Sequence, residues 1–404
     1  MQRRQWLQLG IAGAAASLLT PSTRLWAAAP GTSGPRLLVV FLRGGYDAAN
    51  LLVPHGSPFY YEARPNIAIA RPGSAPEAAL PIDAQWGLAP ALAGNVATLF
   101  SSGQATFVPF AGTDDTSRSH FETQDRIELG NAPDSGAAGR ASGFLNRLAG
   151  VLDAQPGSAM ASLAFTEQVP LVFRGPQPVA NQSLRAIGKA GIAPRQAALI
   201  ERMYADTALA GTVSSGFEVR HEVAREMAGE MEAANRNAIG SKGFEAEARR
   251  IGRLMRESVQ LGFVDVGGWD THVGEGGATG ALASRLGELG RGLAALADAL
   301  GPAWQRTVVV VLSEFGRTFR ENGNRGTDHG HGSVYWVLGG AVRGGVRGEQ
   351  QALSAATLFQ NRDYPVLNEY RALLGGLFQR MYGLNAAQLE RVFPGTRPSD
   401  IGLL

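Results

Sequence analysis

Five short stretches hold most of the side chains in this 404-residue sequence that could do chemistry. In chain order they are Arg43-Gly44-Gly45-Tyr46-Asp47, Ser117-Arg118-Ser119-His120-Phe121-Glu122-Thr123-Gln124-Asp125, Gly267-Gly268-Trp269-Asp270-Thr271-His272, Ser313-Glu314-Phe315-Gly316-Arg317-Thr318 and Gly326-Thr327-Asp328-His329-Gly330-His331-Gly332. Four of the six histidines fall inside them. The chain has no cysteine, which excludes thiolate zinc sites and cysteine nucleophiles, so any metal must be held by imidazole and carboxylate. Those donors suit zinc, manganese, magnesium or calcium. One Asp after a strand is usually a helix cap or turn residue, and one loop His is usually structural. The concentration of both types where a fold could gather them is what points to a metal. Asp47, Asp270, His272, Glu314, His329 and His331 are the candidate ligands.

The elements that must position these groups are visible in the apolar pattern. Leu37–Leu42 is a continuous apolar run, the signature of a buried parallel strand. Leu261–Val266, Thr307–Leu312 and Val334–Leu338 are further strands, with weaker ones at Ala105–Phe110 and Ser162–Phe165. Helical periodicity lies between them, at Ala91–Phe100, Gly143–Asp153, Gln196–Ala210, Glu218–Ala238, Phe244–Glu257, Leu282–Leu300 and Glu369–Tyr382. Alternating strands and helices predict an α/β fold, a central mostly parallel sheet flanked by helices. The stretch at about 193–257 has little strand signal and reads as a helical insertion within one domain spanning 30–404. Ligands of open α/β sheets sit beyond the carboxyl ends of the strands, and three of the five clusters follow the strongest strands there.

The first residues are of another kind. Arg3 and Arg4, a short Ala- and Gly-rich apolar run from Leu9 to Leu19, and Ala27-Ala28-Ala29 have the order of a cleavable export signal. Paired arginines mark the twin-arginine form, so residues 1–29 are expected to engage the twin-arginine translocase and deliver the protein to the periplasm or otherwise outside the cytoplasm. The apolar run is too short to span a bilayer of about 30 Å, and no later segment reaches the length of a membrane helix, so no stable membrane span is expected after cleavage. Residues 1–29 carry three arginines and no acid, which leaves 34 basic and 35 acidic residues beyond them. That balance, without a basic stripe, argues against a nucleic-acid partner.

Gly-Gly-Tyr-Asp at 44–47, Ser-Arg-Ser-His-Phe at 117–121, Gly-Trp-Asp-Thr-His at 268–272, Ser-Glu-Phe-Gly-Arg-Thr at 313–318 and Thr-Asp-His-Gly-His-Gly at 327–332 occur in order. Together with Val392-Phe393-Pro394-Gly395 they resemble the bacterial domain-of-unknown-function 1501 family, over nearly the whole chain beyond the leader. That family is grouped with the alkaline phosphatase-like superfamily, which includes phosphatases and sulfatases. The resemblance implies an alkaline phosphatase-like fold and places Asp47 at the superfamily's first Asp, Asp270 and His272 at its Asp and His pair, and His329 or His331 at its late His. Glu314-Phe315 stands where an Asp-His pair is usual, and Ser119 falls near the nucleophile's place.

The function expected on these grounds is an exported, metal-dependent hydrolase of an anionic ester, phosphate or sulfate, acting on a small anionic or glycan substrate. One metal would activate a hydroxyl or water and a second would stabilise the leaving oxygen. Ser119 would be nucleophile or helix cap, His120 a ligand or base, and Arg43 or Arg317 would grip the substrate's oxyanion. The alternative is a non-catalytic periplasmic protein that uses the same cleft to bind a polyanion, glycan or partner. A serine esterase is disfavoured because no Gly-X-Ser-X-Gly elbow follows any strand.

Overall fold

The computed structural model describes residues 34–131, 141–153, 161–184, 194–207, 209–211, 213–214 and 243–404. The leader expected at 1–29 and the helix expected over Glu218–Ala238 lie outside these residues. The centre is a nine-stranded sheet. Its strands are β1 (Arg36–Arg43), β2 (Ala105–Gly112), β3 (Ser162–Ala164), β4 (Ala180–Asn181), β5 (Leu261–Gly267), β6 (Thr307–Ser313), β7 (Ser333–Leu338), β8 (Gly345–Val346) and β9 (Asn368–Glu369). Their order across the sheet is β8-β2-β7-β6-β1-β5-β3-β4, with β9 beside β2. Every pairing is parallel except those of β7, which runs antiparallel to both β2 and β6.

Both faces are covered, which is why β1 is apolar at every interior position. Leu38, Val40 and Leu42 share one core with helices α3 (Phe244–Glu257) and α4 (Ala281–Leu300). Leu37, Val39 and Phe41 point the other way, into a core with α2 (Phe144–Asp153) and α5 (Tyr370–Tyr382). The period-two alternation of a strand thus divides one run between two cores. Of the insertion expected at about 193–257, α3 belongs to the helical layer of the sheet, and Pro194–Tyr204 is a further helix. The helix expected over Ala91–Phe100 is split. Pro90–Leu92 forms a 3-10 turn, Gly94 takes φ +71°, and Asn95 restarts the chain by accepting from the N–H of Val96.

Strand direction brings the five clusters to one edge. Chain leaving β1, β5 and β6 emerges at their common carboxyl end. β7 is antiparallel to β6, so the Gly326–His331 loop that precedes it enters at that same edge. β2 is antiparallel to β7 and also ends there, feeding the loop that leads into α1 (His120–Leu129). Among the described residues, no helix is long and apolar enough to cross a membrane.

Candidate metal centre

Three imidazoles and one carboxylate converge at this edge. The Nε2 atom of His329 lies 3.0 Å from Nε2 of His120 and 3.2 Å from Nε2 of His272. Asp270 Oδ1 lies 2.9 Å from His272 Nε2 and 3.3 Å from His329 Nε2, and its Oδ2 lies 3.6 Å from His120 Nε2. The side chains of Asp270 and His272 are about two-fifths exposed, so the cluster is open to solvent on one side.

The other ring nitrogens decide the protonation pattern. His329 Nδ1 is 3.1 Å from the carbonyl oxygen of Arg118, which can only accept, so it carries a hydrogen. His120 Nδ1 is 2.8 Å from Glu314 Oε1, and His272 Nδ1 is 3.2 Å from Asp328 Oδ1. Burial works against ionising Glu314, yet the bonds from His120 and Gln124 hold its carboxyl below the usual range. Asp328 is likewise held down, against its partial burial, by Asn322 and His272. Both are therefore carboxylates, and each imidazole donates from Nδ1. In the neutral ring that leaves a bare lone pair at each Nε2. Lone pairs at 3.0–3.2 Å, with a carboxylate among them, repel unless a cation sits between them, either a metal ion or a proton on His120, which the bond to Glu314 helps to hold. A tetrahedral zinc with bonds of about 2.0–2.1 Å would set its ligand atoms about 3.3 Å apart. The donors of His120, His329 and Asp270 fit such an ion, with His272 Nε2 near the last two, and each imidazole has the carboxylate or carbonyl partner that metal-bound histidines use.

The scaffold around the ligands explains the glycines of the first cluster. Glu314 is fully buried, and its Oε1 accepts from the N–H of Gly44 and the amide of Gln124 as well as from His120, while Ser313 donates to Oε2. Gly44 has φ +126°, and a Cβ there would come within 2.8 Å of the Asp270 nitrogen. Gly45 has φ +60°, and its Cβ would strike the Phe315 ring at 2.5 Å. Only glycine lets the strand end pass this close to the ligand loops.

Other residues expected at the site have other tasks. Arg317 was a candidate for gripping substrate, but it is buried and bonds Asp270 and the carbonyls of Gly44, Gly45, Trp269 and Thr327. It keeps Asp270 ionised: burial opposes the charge, and the bond and charge of Arg317 outweigh it. Arg43, the other candidate, is held by Glu128, Asp265 and Gln124. Asp47, expected as a ligand, is buried with both oxygens on Arg64, and it also accepts from the N–H of Ala49 at the start of a 3-10 turn. Turned into this buried ion pair, Asp47 faces Arg64 and not the imidazoles. His331 is buried against Phe359, with ring centroids 4.8 Å apart, and stands outside the imidazole cluster. Ser119 is at the N-cap position of α1, where its hydroxyl makes no capping bond. The second metal expected from the sequence thus finds no donor set among the described residues, where His120, Asp270 and His329 form the one group close enough to share an ion, with His272 beside them.

Several residues of the site were not singled out from sequence. Asp328 and the carbonyl of Arg118 orient imidazoles, and Gln124 spans Glu314 and Arg43. Arg118 takes φ +53°, unusual for a residue with a side chain, and its guanidinium is clamped by Asp363. Arg362 shares that carboxylate and donates to the carbonyl of His329. Arg118, Gln124 and Asp328 stand inside the five clusters, and their places beside His120 and His329 were the available signal.

The family described as "Protein of unknown function (DUF1501)" matches residues 35–393. No curated protein matches the chain. Among solved structures, that of Ps i-CgsB in complex with k-i-k-neocarrahexaose is similar with a TM-score of 0.36 and 10% identity, over 88% of this chain and 74% of that one. A likeness so distant carries no argument about fold or activity.

Proposed function

We propose that this chain, which belongs to the DUF1501 family, is a hydrolase of phosphate or sulfate esters that works with one divalent ion held by His120, His329 and Asp270, with His272 turning in as the fourth donor. The observation that carries the reading is the convergence of three Nε2 lone pairs whose Nδ1 hydrogens are all committed elsewhere. Three imidazoles favour zinc over magnesium or calcium, which take oxygen donors. A bound ion of this kind polarises an ester oxygen and makes water a stronger acid.

The protein's own groups set the conditions for that chemistry. Glu314, Asp328 and the Arg118 carbonyl fix the imidazole planes, and Arg317 keeps Asp270 charged. Water suits the nucleophile's part better than Ser119, because no imidazole of the cluster is hydrogen-bonded to the serine hydroxyl. Around the centre, Asp270, Glu314, Asp328 and Asp363 are outnumbered by Arg118, Arg317, Arg362 and the two charges of the ion. That surplus supports an anionic ester. An alkaline phosphatase-like fold belongs to the same proposal, supported by a mostly parallel sheet whose carboxyl edge carries every ligand.

Zinc-loaded protein offered a panel of phosphate and sulfate monoesters tests the reading. We expect turnover of at least one of them, kcat/KM falling about 100-fold or more in His329→Ala, and a change within about threefold in Ser119→Ala. Metal-replete protein that turns over no member of the panel would contradict the hydrolase reading and favour a binding protein.

A further inference from the structure

We propose that Glu275, a residue of no metal-binding role itself, is the positioning residue that locks together the two loops carrying Asp270, His272 and His329. The proposal rests on the metal-centre reading above. Glu275 is fully buried. Its Oε2 accepts from the hydroxyl of Thr271 at 2.9 Å and from that of Thr327 at 2.7 Å. Thr271 lies between the ligands Asp270 and His272, and Thr327 lies two residues before His329. The loops also meet directly, where the N–H of Thr327 donates to the carbonyl of Thr271. One carboxyl oxygen therefore sits at the junction of both ligand segments and fixes their spacing.

The other half of the carboxyl shows how it is kept there. Oε1 is buried with no N–H or O–H directed at it, and the carboxyl faces that of Asp47. Asp47 spends both oxygens on Arg64, the one guanidinium bonded to it. Two carboxyls facing each other with a single cation, away from water, retain one proton between them. With Asp47 ionised against Arg64, the proton belongs to Glu275, which donates it to Asp47 while accepting from both threonines. A glutamine can copy that pattern, its NH₂ replacing the acid O–H and its carbonyl serving the threonines. An alanine can copy none of it. Groups that orient metal ligands from behind typically change metal affinity 10–100-fold when removed.

The test is zinc affinity of the full chain, by competition with a chelator, together with the visible spectrum of the cobalt(II)-substituted protein. Wild type should bind one zinc. Glu275→Ala should bind it about tenfold or more weakly and shift the cobalt bands, while Glu275→Gln should stay within about threefold with wild-type bands. Thr327→Val, which leaves the acid in place, should also weaken zinc binding, and it decides the matter with Glu275→Gln should the alanine variant fail to fold. Zinc binding unchanged in Glu275→Ala or Thr327→Val would overturn the proposal and leave the metal reading intact. So would equal losses in Glu275→Gln and Glu275→Ala, since charge and not hydrogen-bond geometry would then be at work. Wild-type protein that binds no zinc would overturn both.

Discussion

At the residue scale, the centre depends on which atoms are already spoken for. Asp47 and Asp270 both follow strands and both meet an arginine, yet Arg64 takes both oxygens of Asp47 while Arg317 bonds only Oδ1 of Asp270. One becomes a buried ion pair and the other keeps an oxygen turned to the imidazoles, as the proposed ligand. Glu275 adds a prediction about pH. Burial first, then the nearby Asp47 charge, pushes its carboxyl up to about 9, against an ordinary 4.5. Between those values the folded chain holds a proton that the unfolded chain releases, so this group's contribution is fully present below about 4.5 and is lost as pH rises through the window, at up to about 1.4 kcal/mol per pH unit. Asp47 and Arg64, which face Glu275, keep their charges throughout. Glu275→Gln has no proton to lose. Its melting temperature, measured with chelator present, should therefore gain on wild type steadily from pH 5 to pH 9, and a gap that stays flat or narrows would count against a protonated Glu275. From sequence, Asp270, His272 and His329 could be picked out as candidates for one site because their clusters combine carboxylate and imidazole beside glycines. The fate of Asp47 could not, because Arg64 gives no sign of its partner until the chain is folded. The same holds for Arg317, whose type suggests an anion grip and whose burial makes it a scaffold.

At the scale of elements, the site exists because five loops share one edge. The apolar runs of β1, β5 and β6 made three of those loops visible in the sequence. The fourth needed the direction of β7, and the strand pattern of Val334–Leu338 alone does not say whether it pairs parallel or antiparallel. The fifth follows β2, expected as a strand only weakly. The close packing of the β1 turn against the Trp269–Asp270 loop yields a controlled comparison. Gly44→Ala would place a methyl group 2.8 Å from the Asp270 nitrogen, whereas Gly94→Ala, also at positive φ, has nothing within 4 Å. Both should lose roughly 1 kcal/mol from the positive φ alone. Only Gly44→Ala should also lose zinc affinity, by about tenfold or more, since it displaces a ligand loop. Equal zinc affinity in the two variants, measured by chelator competition, would show that the turn does not position Asp270.

At the scale of the whole molecule, a two-faced α/β sheet supplies a rigid frame, and we propose from the twin arginines that it is exported already folded. Replacing both Arg3 and Arg4 by Lys should leave precursor in the cytoplasm, read by fractionation of a host that has the translocase; efficient export of that variant would contradict the assignment. The balance of sheet and helix was legible because each layer has its own period. The division of the sheet's two faces between α3 and α4 on one side and α2 and α5 on the other depends on long-range pairing that no local pattern contains. The central claim is the ion itself, and the metal content of protein purified from its native host tests it most directly. We expect close to one equivalent of a transition metal, zinc foremost, in the wild type, and a large loss in Asp270→Asn and His272→Ala while both stay folded, with excess zinc restoring part of their lowered melting temperature. Wild-type protein that carries no stoichiometric metal, and whose melting temperature does not rise with zinc, manganese, magnesium or calcium, would contradict the account.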